Sequence, residues 1–195
     1  SVLPATILDA LRKIGFDDAF NVAAASEAVS LALKRYINSH RGSFPLLSPF
    51  CPAVVRLIQV RYPALIDALI PIEAPMEIAA REIKQRKSRE LGLRRDQIGV
   101  IYITPCSAKM IAIKDHPRKQ KSYLDGAIAI SDIYPELLSE ISSAEGSSPE
   151  HPPVTGMGLG WPVLGRQAAS LRAESTVAVG GLSDVGVMLE DIENG

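Results

Sequence analysis

Cysteine is nearly absent from this chain. Among 195 residues there are two, Cys51 and Cys106, beside three histidines and one tryptophan. Two cysteines do not make a disulfide framework, so the fold has to rest on an apolar core. Aromatic residues make up 5% of the sequence, too few for the stacking platforms that single-stranded nucleic acid needs. An excess of one charge is missing as well. The 21 Lys and Arg against 22 Asp and Glu leave a net charge of −1, so no global field points to nucleic acid or to an anionic membrane. No apolar run approaches the length of a membrane span. No charged segment leads into an apolar one as in a signal peptide. The expectation is a cytoplasmic protein with reduced thiols, bound to neither nucleic acid nor membrane. The sequence starts at Ser1 without an initiator methionine, so a longer parent protein is expected.

What is present is core material. Hydrophobic residues at 47% and charged residues at 22% suit one α/β domain or two small lobes. Val2–Lys13 has helix composition, and Ala19–Ala25 reads as a strand. Ser26–Asn38 reads as a helix with Val29, Leu33, Tyr36 and Ile37 on one face. Phe44–Ser48 is a short strand candidate, and Pro52 is suited to open the next helix. Pro75–Leu91 is a long amphipathic helix with a basic outer face. Ile98–Ile103 is the clearest strand, and Asp125–Ile130 is another, followed by a helix with Ser131 as its cap. Glu145–Pro153 reads as a linker, Trp161–Leu171 as a helix and Thr176–Gly180 as a strand. Ser183 is placed to cap a last helix with Val185, Met188, Leu189 and Ile192 inward. This alternation predicts an α/β fold of parallel βαβ units covered by helices.

Both cysteines sit beside proline just past an apolar run. Cys51 lies in Leu46-Leu47-Ser48-Pro49-Phe50-Cys51-Pro52, and Cys106 in Ile103-Thr104-Pro105-Cys106-Ser107-Ala108-Lys109. Ligands of α/β proteins gather outside the carboxyl ends of strands. Two soft sulfur ligands at such places point to a shared metal or iron–sulfur site. Lys109 is three residues on, one turn beyond Cys106 if a helix follows, and can donate hydrogen bonds to an anionic ligand there. Two buried structural thiols and a solvated lysine satisfy the same spacing.

Other readings are weaker. A thiol hydrolase would pair Cys106 with a histidine, but His40, His116 and His151 all lie in polar, loop-like contexts. Gly156-Met157-Gly158-Leu159-Gly160 has one residue between its second and third glycines where the dinucleotide fingerprint needs two. It reads as a tight turn. Arg81–Arg95 mixes basic residues with Glu82, Glu90 and Asp96, as a solvated helix face does.

Taken in order, these segments resemble the C-terminal, cluster-binding domain of the FeFe hydrogenase family. Leu11–Phe16 is similar to the segment ahead of the first site strand. Pro45–Pro52 is similar to a first signature, Thr-Ser-Cys-Cys-Pro-x-Trp, and Thr104–Lys109 to a second, Met-Pro-Cys-x-x-Lys. Gly156–Gly165 and Val177–Gly195 resemble the stretches leading to a third. The resemblance implies two α/β lobes, here 1–95 and 96–195, with a cluster cleft between them. It implies a 4Fe–4S cluster held by Cys51 and Cys106, and a diiron centre, together the H-cluster, contacted by Lys109. Pro105, Phe50 and Thr104 fall at the remaining cofactor-contacting positions. Ferredoxin or another electron-transfer domain is the implied partner, with a signalling output domain in the parent chain.

The departures shape the functional expectation. Phe50 stands where the family has its proton-transfer cysteine. Val54 replaces the signature tryptophan, Thr104 a methionine, and Met76 a pocket glutamine. Leu33 and Tyr36 align with proton-path glutamates. The third signature is absent, and the chain stops at Gly195 about where it would begin, so truncation and an apo state are expected. The leading expectation is therefore a sensory, regulatory or redox domain that turns over hydrogen poorly. The alternative is a divergent FeFe hydrogenase working with ferredoxin.

Overall fold

The computed structural model describes residues 3–42, 45–115, 121–143, 165–171 and 176–195. In chain order the elements are α1 (Pro4–Lys13), α2 (Ala23–Ser39), α3 (Pro52–Arg61), α4 (Pro75–Leu91), β1 (Ile101–Thr104), α5 (Ser107–Lys114), β2 (Gly126–Ala129), α6 (Ile130–Ser143), α7 (Arg166–Leu171) and α8 (Leu182–Asn194). Short 3₁₀ turns cover Pro63–Ala68 and Arg95–Gln97.

Proline starts helices α1, α3 and α4. Its fixed φ suits the first turn, where its missing N–H would find no intrahelical partner anyway. Helix α4 ends at Gly92, whose left-handed φ of 66° suits a residue without a Cβ.

The sheet is small and parallel. Strands β1 and β2 pair in register from Ile101 with Gly126 to Thr104 with Ala129. Asp125 fixes the start of this ladder. Its Oδ2 accepts the Val100 N–H at 2.8 Å, and its own N–H donates to the Val100 carbonyl at 2.9 Å. Lys84 of α4 reaches the same carboxylate at 2.7 Å. Side chains of β1 alternate between two cores, as the strand period requires. Ile103 packs into the cluster of Ala10, Leu11, Ala19 and Leu137, between α1 and α6. Tyr102 packs on the other side, with Met76, Ala80, Ile113 and Leu124. The class is mixed α/β, a parallel sheet flanked by helices, as the alternating pattern predicts.

Two further clusters complete the interior. Ile58, Tyr62, Leu65 and Leu189 join α3, the Pro63–Ala68 turn and α8. Val29, Leu33 and Ile70 gather Tyr36, Leu46, Phe50, Ile72, Ile78 and Leu171 around α2.

Several expectations fail locally. Ala19–Ala25 is not a strand, because α2 already begins at Ala23. The Asp18 carboxylate accepts the Ala19 N–H and the Asn21 side-chain oxygen accepts the Ala23 N–H, both local bonds that turn the backbone. Within Phe44–Ser48, Phe44 lies outside the described residues, and Leu47 forms one parallel bridge with Leu69. Thr176–Gly180 has no strand assignment among the described residues. Helix α6 follows β2 directly at Ile130, so Ser131 lies inside its first turn and donates to Asp132 instead of capping. Gly181, at φ 90°, occupies the cap position of α8 that Ser183 was expected to fill. Of the face of α8 expected inward, Leu189 is buried and Val185 and Ile192 pack against the same cluster, while Met188 is half-buried. The Glu145–Pro153 linker and the glycines of 156–160 lie outside the described residues, as does the 161–164 part of the helix expected to end at Leu171. Among the described residues no helix is long and apolar enough to cross a membrane.

Candidate functional site

The two cysteines occupy equivalent places. Cys51 is the N-cap residue of α3 and Cys106 that of α5, with matching extended backbones (φ −99°, ψ 106° and φ −102°, ψ 108°). The carbonyls start their helices: Cys51 accepts the Val55 N–H at 3.0 Å and Cys106 the Met110 N–H at 3.2 Å. Neither sulfur is used as a cap hydrogen-bond acceptor. Both thiols are free, Cys51 exposed and Cys106 half-buried. Helices α3 and α5 contact each other. Each cysteine thus stands at the positive end of a helix dipole, which favours a negative ligand group.

The turn carrying Cys106 is held by the strand before it. Thr104 is buried, and its hydroxyl oxygen accepts the Cys106 N–H at 3.2 Å. Pro105 between them is exposed. Lys109 lies in the first turn of α5, half-buried, with its ammonium 5.9 Å from the centre of the Tyr102 ring. That distance is within cation–π range.

The surroundings of Cys51 are different in kind. Phe50 packs against the cluster of Val29, Leu33 and Ile70, and Tyr36 packs on the same cluster. The three positions that depart from the expected proton path therefore meet in one apolar group. Met76 is buried in the cluster shared with Tyr102. Val54 packs toward Ile58 and Leu189. His40, the C-cap residue of α2, has its ring centre 5.5 Å from that of Tyr36. His116 and His151 lie outside the described residues.

Glu77 escaped the sequence reading. It is 4% exposed, in the first turn of α4. Its carboxylate accepts the Ser122 hydroxyl at 2.6 Å and the Tyr123 N–H at 2.8 Å, while Ser122 accepts the Leu124 N–H at 3.0 Å. This network ties α4 to the approach to β2. The available signal was an acid just after a helix-opening proline, a common cap pattern that does not name its partner. Asp18 was also passed over. Burial pushes its carboxyl upward, but hydrogen bonds from Lys87, Arg12 and the Ala19 N–H, with the Lys87 charge, hold it down at about 2.

Among the described residues no group of three or more His, Cys, Asp or Glu could hold a metal ion. The soft donors amount to two cysteines, half of the four that a cubane cluster takes. Both stand at helix N-termini, where the backbone favours an anionic group.

Residues 1–149 match the family described as "Iron only hydrogenase large subunit, C-terminal domain". Iron hydrogenase 1 of Clostridium pasteurianum is 29% identical over 124 residues, covering 60% of this chain and 21% of that protein. A protein of Schizosaccharomyces japonicus named as a cytosolic Fe–S cluster assembly factor NAR1 homolog is 25% identical over 144 residues, 71% of this chain and 27% of its own length. The chain thus spans about a quarter or less of these curated relatives. The solved structure of apo FeFe-hydrogenase HydA1 from Chlamydomonas reinhardtii superposes with a TM-score of 0.61 at 20% identity, over 80% of this chain and 42% of that one, a likeness of fold.

Proposed function

We propose, for a chain that belongs to the iron-only hydrogenase family by its match to the C-terminal domain of the large subunit, that it holds an iron–sulfur cluster for a sensory, regulatory or redox role and turns over hydrogen poorly. Cys51 and Cys106 are two of the ligands in this reading. Lys109 faces the anionic group, with Phe50, Thr104 and Pro105 beside it. Such a cluster supplies one-electron chemistry. The cleft between lobes 1–95 and 96–195, the cytoplasmic location, and a ferredoxin-like or signalling partner are parts of the same proposal.

One observation carries the reading. Phe50, Leu33 and Tyr36 pack on one apolar cluster beside Cys51. Hydrogen turnover needs proton transfer between groups of suitable pKa. The side chains of Phe50 and Leu33 have no exchangeable proton. The likeness to a protein named as a cluster assembly factor supports the same direction, because members of this family are not all named for hydrogen chemistry.

The test is infrared spectroscopy on the full-length parent protein, produced with hydrogenase maturation factors and purified without oxygen. Carbonyl and cyanide bands with slow hydrogen-dependent dye reduction are the result expected of a sensor. Fast turnover, abolished by Cys106→Ala, would establish the alternative, a divergent hydrogenase. The retained Cys106–Lys109 spacing favours that second reading. Absence of bands in a sample containing iron and labile sulfide would leave a cubane-only redox module.

A further inference from the structure

We propose that Tyr102 and Thr104 are positioning residues for the candidate site: Tyr102 seats the Lys109 ammonium and Thr104 fixes the backbone of Cys106. The inference rests on the reading of Cys106 and Lys109 as site residues.

Lys109 stands in the first turn of α5, and that turn contains no acid. A cation there opposes the positive end of the helix dipole, whereas α4, α6 and α8 carry Glu77, Asp132 and Asp184 in theirs. A residue that breaks a local rule is expected where function or another contact compensates. The compensating contact is the Tyr102 ring, 5.9 Å from the ammonium. Half-buried Lys84 and Lys87 of α4 instead have carboxylates, Asp125 and Asp18.

The ring is itself held. Tyr102 is half-buried and packs with Met76, Ala80, Ile113 and Leu124, on the α4 and α5 side of the sheet. The pairing of β1 with β2 fixes its backbone. Thr104 lies two residues further along β1, on the same face by strand alternation. Its hydroxyl is within reach of the Cys106 amide only because the chain turns at Pro105, and the bond measures 3.2 Å. One strand face therefore sets both the ligand sulfur's backbone and the cation one helical turn beyond it. Pre-orientation of this kind is what a supporting shell does for a metal site.

The experiment uses the full-length protein and reads both contacts before any cluster is considered. In the wild type, the Lys109 ε-methylene protons should resonate upfield, shielded by the Tyr102 ring; ordinary lysine shifts would overturn the Tyr102 assignment without any variant having to fold. Reductive methylation followed by peptide mass spectrometry should label Lys109 about threefold faster in Tyr102→Leu than in wild type, and at the wild-type rate in Tyr102→Phe. Equal rates in all three would overturn it too. Amide hydrogen exchange at Cys106 should accelerate in Thr104→Val and stay protected in Thr104→Ser, and unchanged exchange in Thr104→Val would refute the role of Thr104.

Anaerobic loading with iron and sulfide then separates the two ideas. Wild-type protein that takes up neither ends the reading of the cysteines as ligands, while the lysine and amide measurements still decide the positioning. In loaded protein, Thr104→Val should shift the cluster's reduction potential and Thr104→Ser should restore it, since hydrogen bonds near cluster sulfurs tune potential. An unmoved potential in Thr104→Val would overturn the inference for the loaded site.

Discussion

Cys51 and Cys106 share one backbone geometry and occupy opposite environments. Both cap a helix, with φ and ψ within a few degrees of each other. Cys106 follows a paired strand whose Thr104 hydroxyl holds its amide, with Lys109 against Tyr102 one turn away. Cys51 follows Phe50, which packs with Val29, Leu33 and Ile70. The same helix-capping backbone is thus compatible with a polar setting on one side and an apolar one on the other. The Cys106 side carries a side-chain-to-backbone hydrogen bond and a half-buried cation, whereas the residue before Cys51 packs into hydrocarbon.

The largest effect expected from breaking the comparison is loss of cluster. In the full-length protein, either Cys51→Ser or Cys106→Ser should abolish uptake of iron and labile sulfide, measured after anaerobic reconstitution, because each cysteine is half of the donor set in this sequence. Retention of a full cluster in either variant would remove that cysteine from the site. Without cluster, the two should differ: exposed Cys51 should be alkylated by iodoacetamide faster than half-buried Cys106. Equal rates would erase the contrast in access.

The next effect concerns the apolar side alone. Leu33 is 1% exposed at the centre of its cluster. Leu33→Ala should cost about 2–5 kcal/mol in denaturant unfolding, the usual range for a buried leucine that leaves a cavity. A loss well below 1 kcal/mol would mean that the cluster around Phe50 is loosely packed. The polar side has its own counterpart in Glu77. Glu77→Ala leaves the buried Ser122 hydroxyl and the Tyr123 amide without their carboxylate acceptor and should cost about 1–3 kcal/mol. Glu77→Gln keeps one acceptor oxygen and should cost less.

These contrasts were unequally legible in the sequence. Helices α3 and α4 could be read because Pro52 and Pro75 act within their own first turns, and β1 because Ile101 to Thr104 carry strand-forming side chains. Cys51 at a helix start followed from Pro52, whereas a helix after Cys106 was one possibility among others, since α5 opens on Ser107 without a proline. The strand expected at Ala19–Ala25 failed because Asp18 and Asn21 spend their side chains on backbone N–H groups, a competition that hydrophobicity does not record. The Glu77–Ser122 bond spans 45 positions, and the contacts of Phe50 with Leu33 and Ile70 depend on how α2 lies against the loops. Periodicity gives the buried face of a helix but not the residue it meets. That is why Phe50 could be singled out in the sequence while its shared cluster with Leu33 could not.

The smallest predicted effect tests the frame that both sides share. Helix α4 contacts α2 on the Cys51 side and gives Met76 and Ala80 to the Cys106 side. Asp18 pins α1 to that helix, accepting Arg12 Nη2 at 2.8 Å and Lys87 Nζ at 2.7 Å. Its carboxyl titrates at about 2 in the folded protein, against 3.8 ordinarily. Because the folded value is the lower one, the bridge contributes its full stability above about pH 4 and loses it as pH falls through about 2. Partly exposed ion pairs are screened, so the contribution is on the order of 1 kcal/mol rather than the whole shift. The stability difference between wild type and Asp18→Asn, from urea unfolding, should therefore be about 1 kcal/mol at pH 6 and shrink toward pH 2.5. A difference that stays constant over that range would mean that Asp18 acts through packing and its Ala19 amide bond, and that charge does not couple α1 to α4.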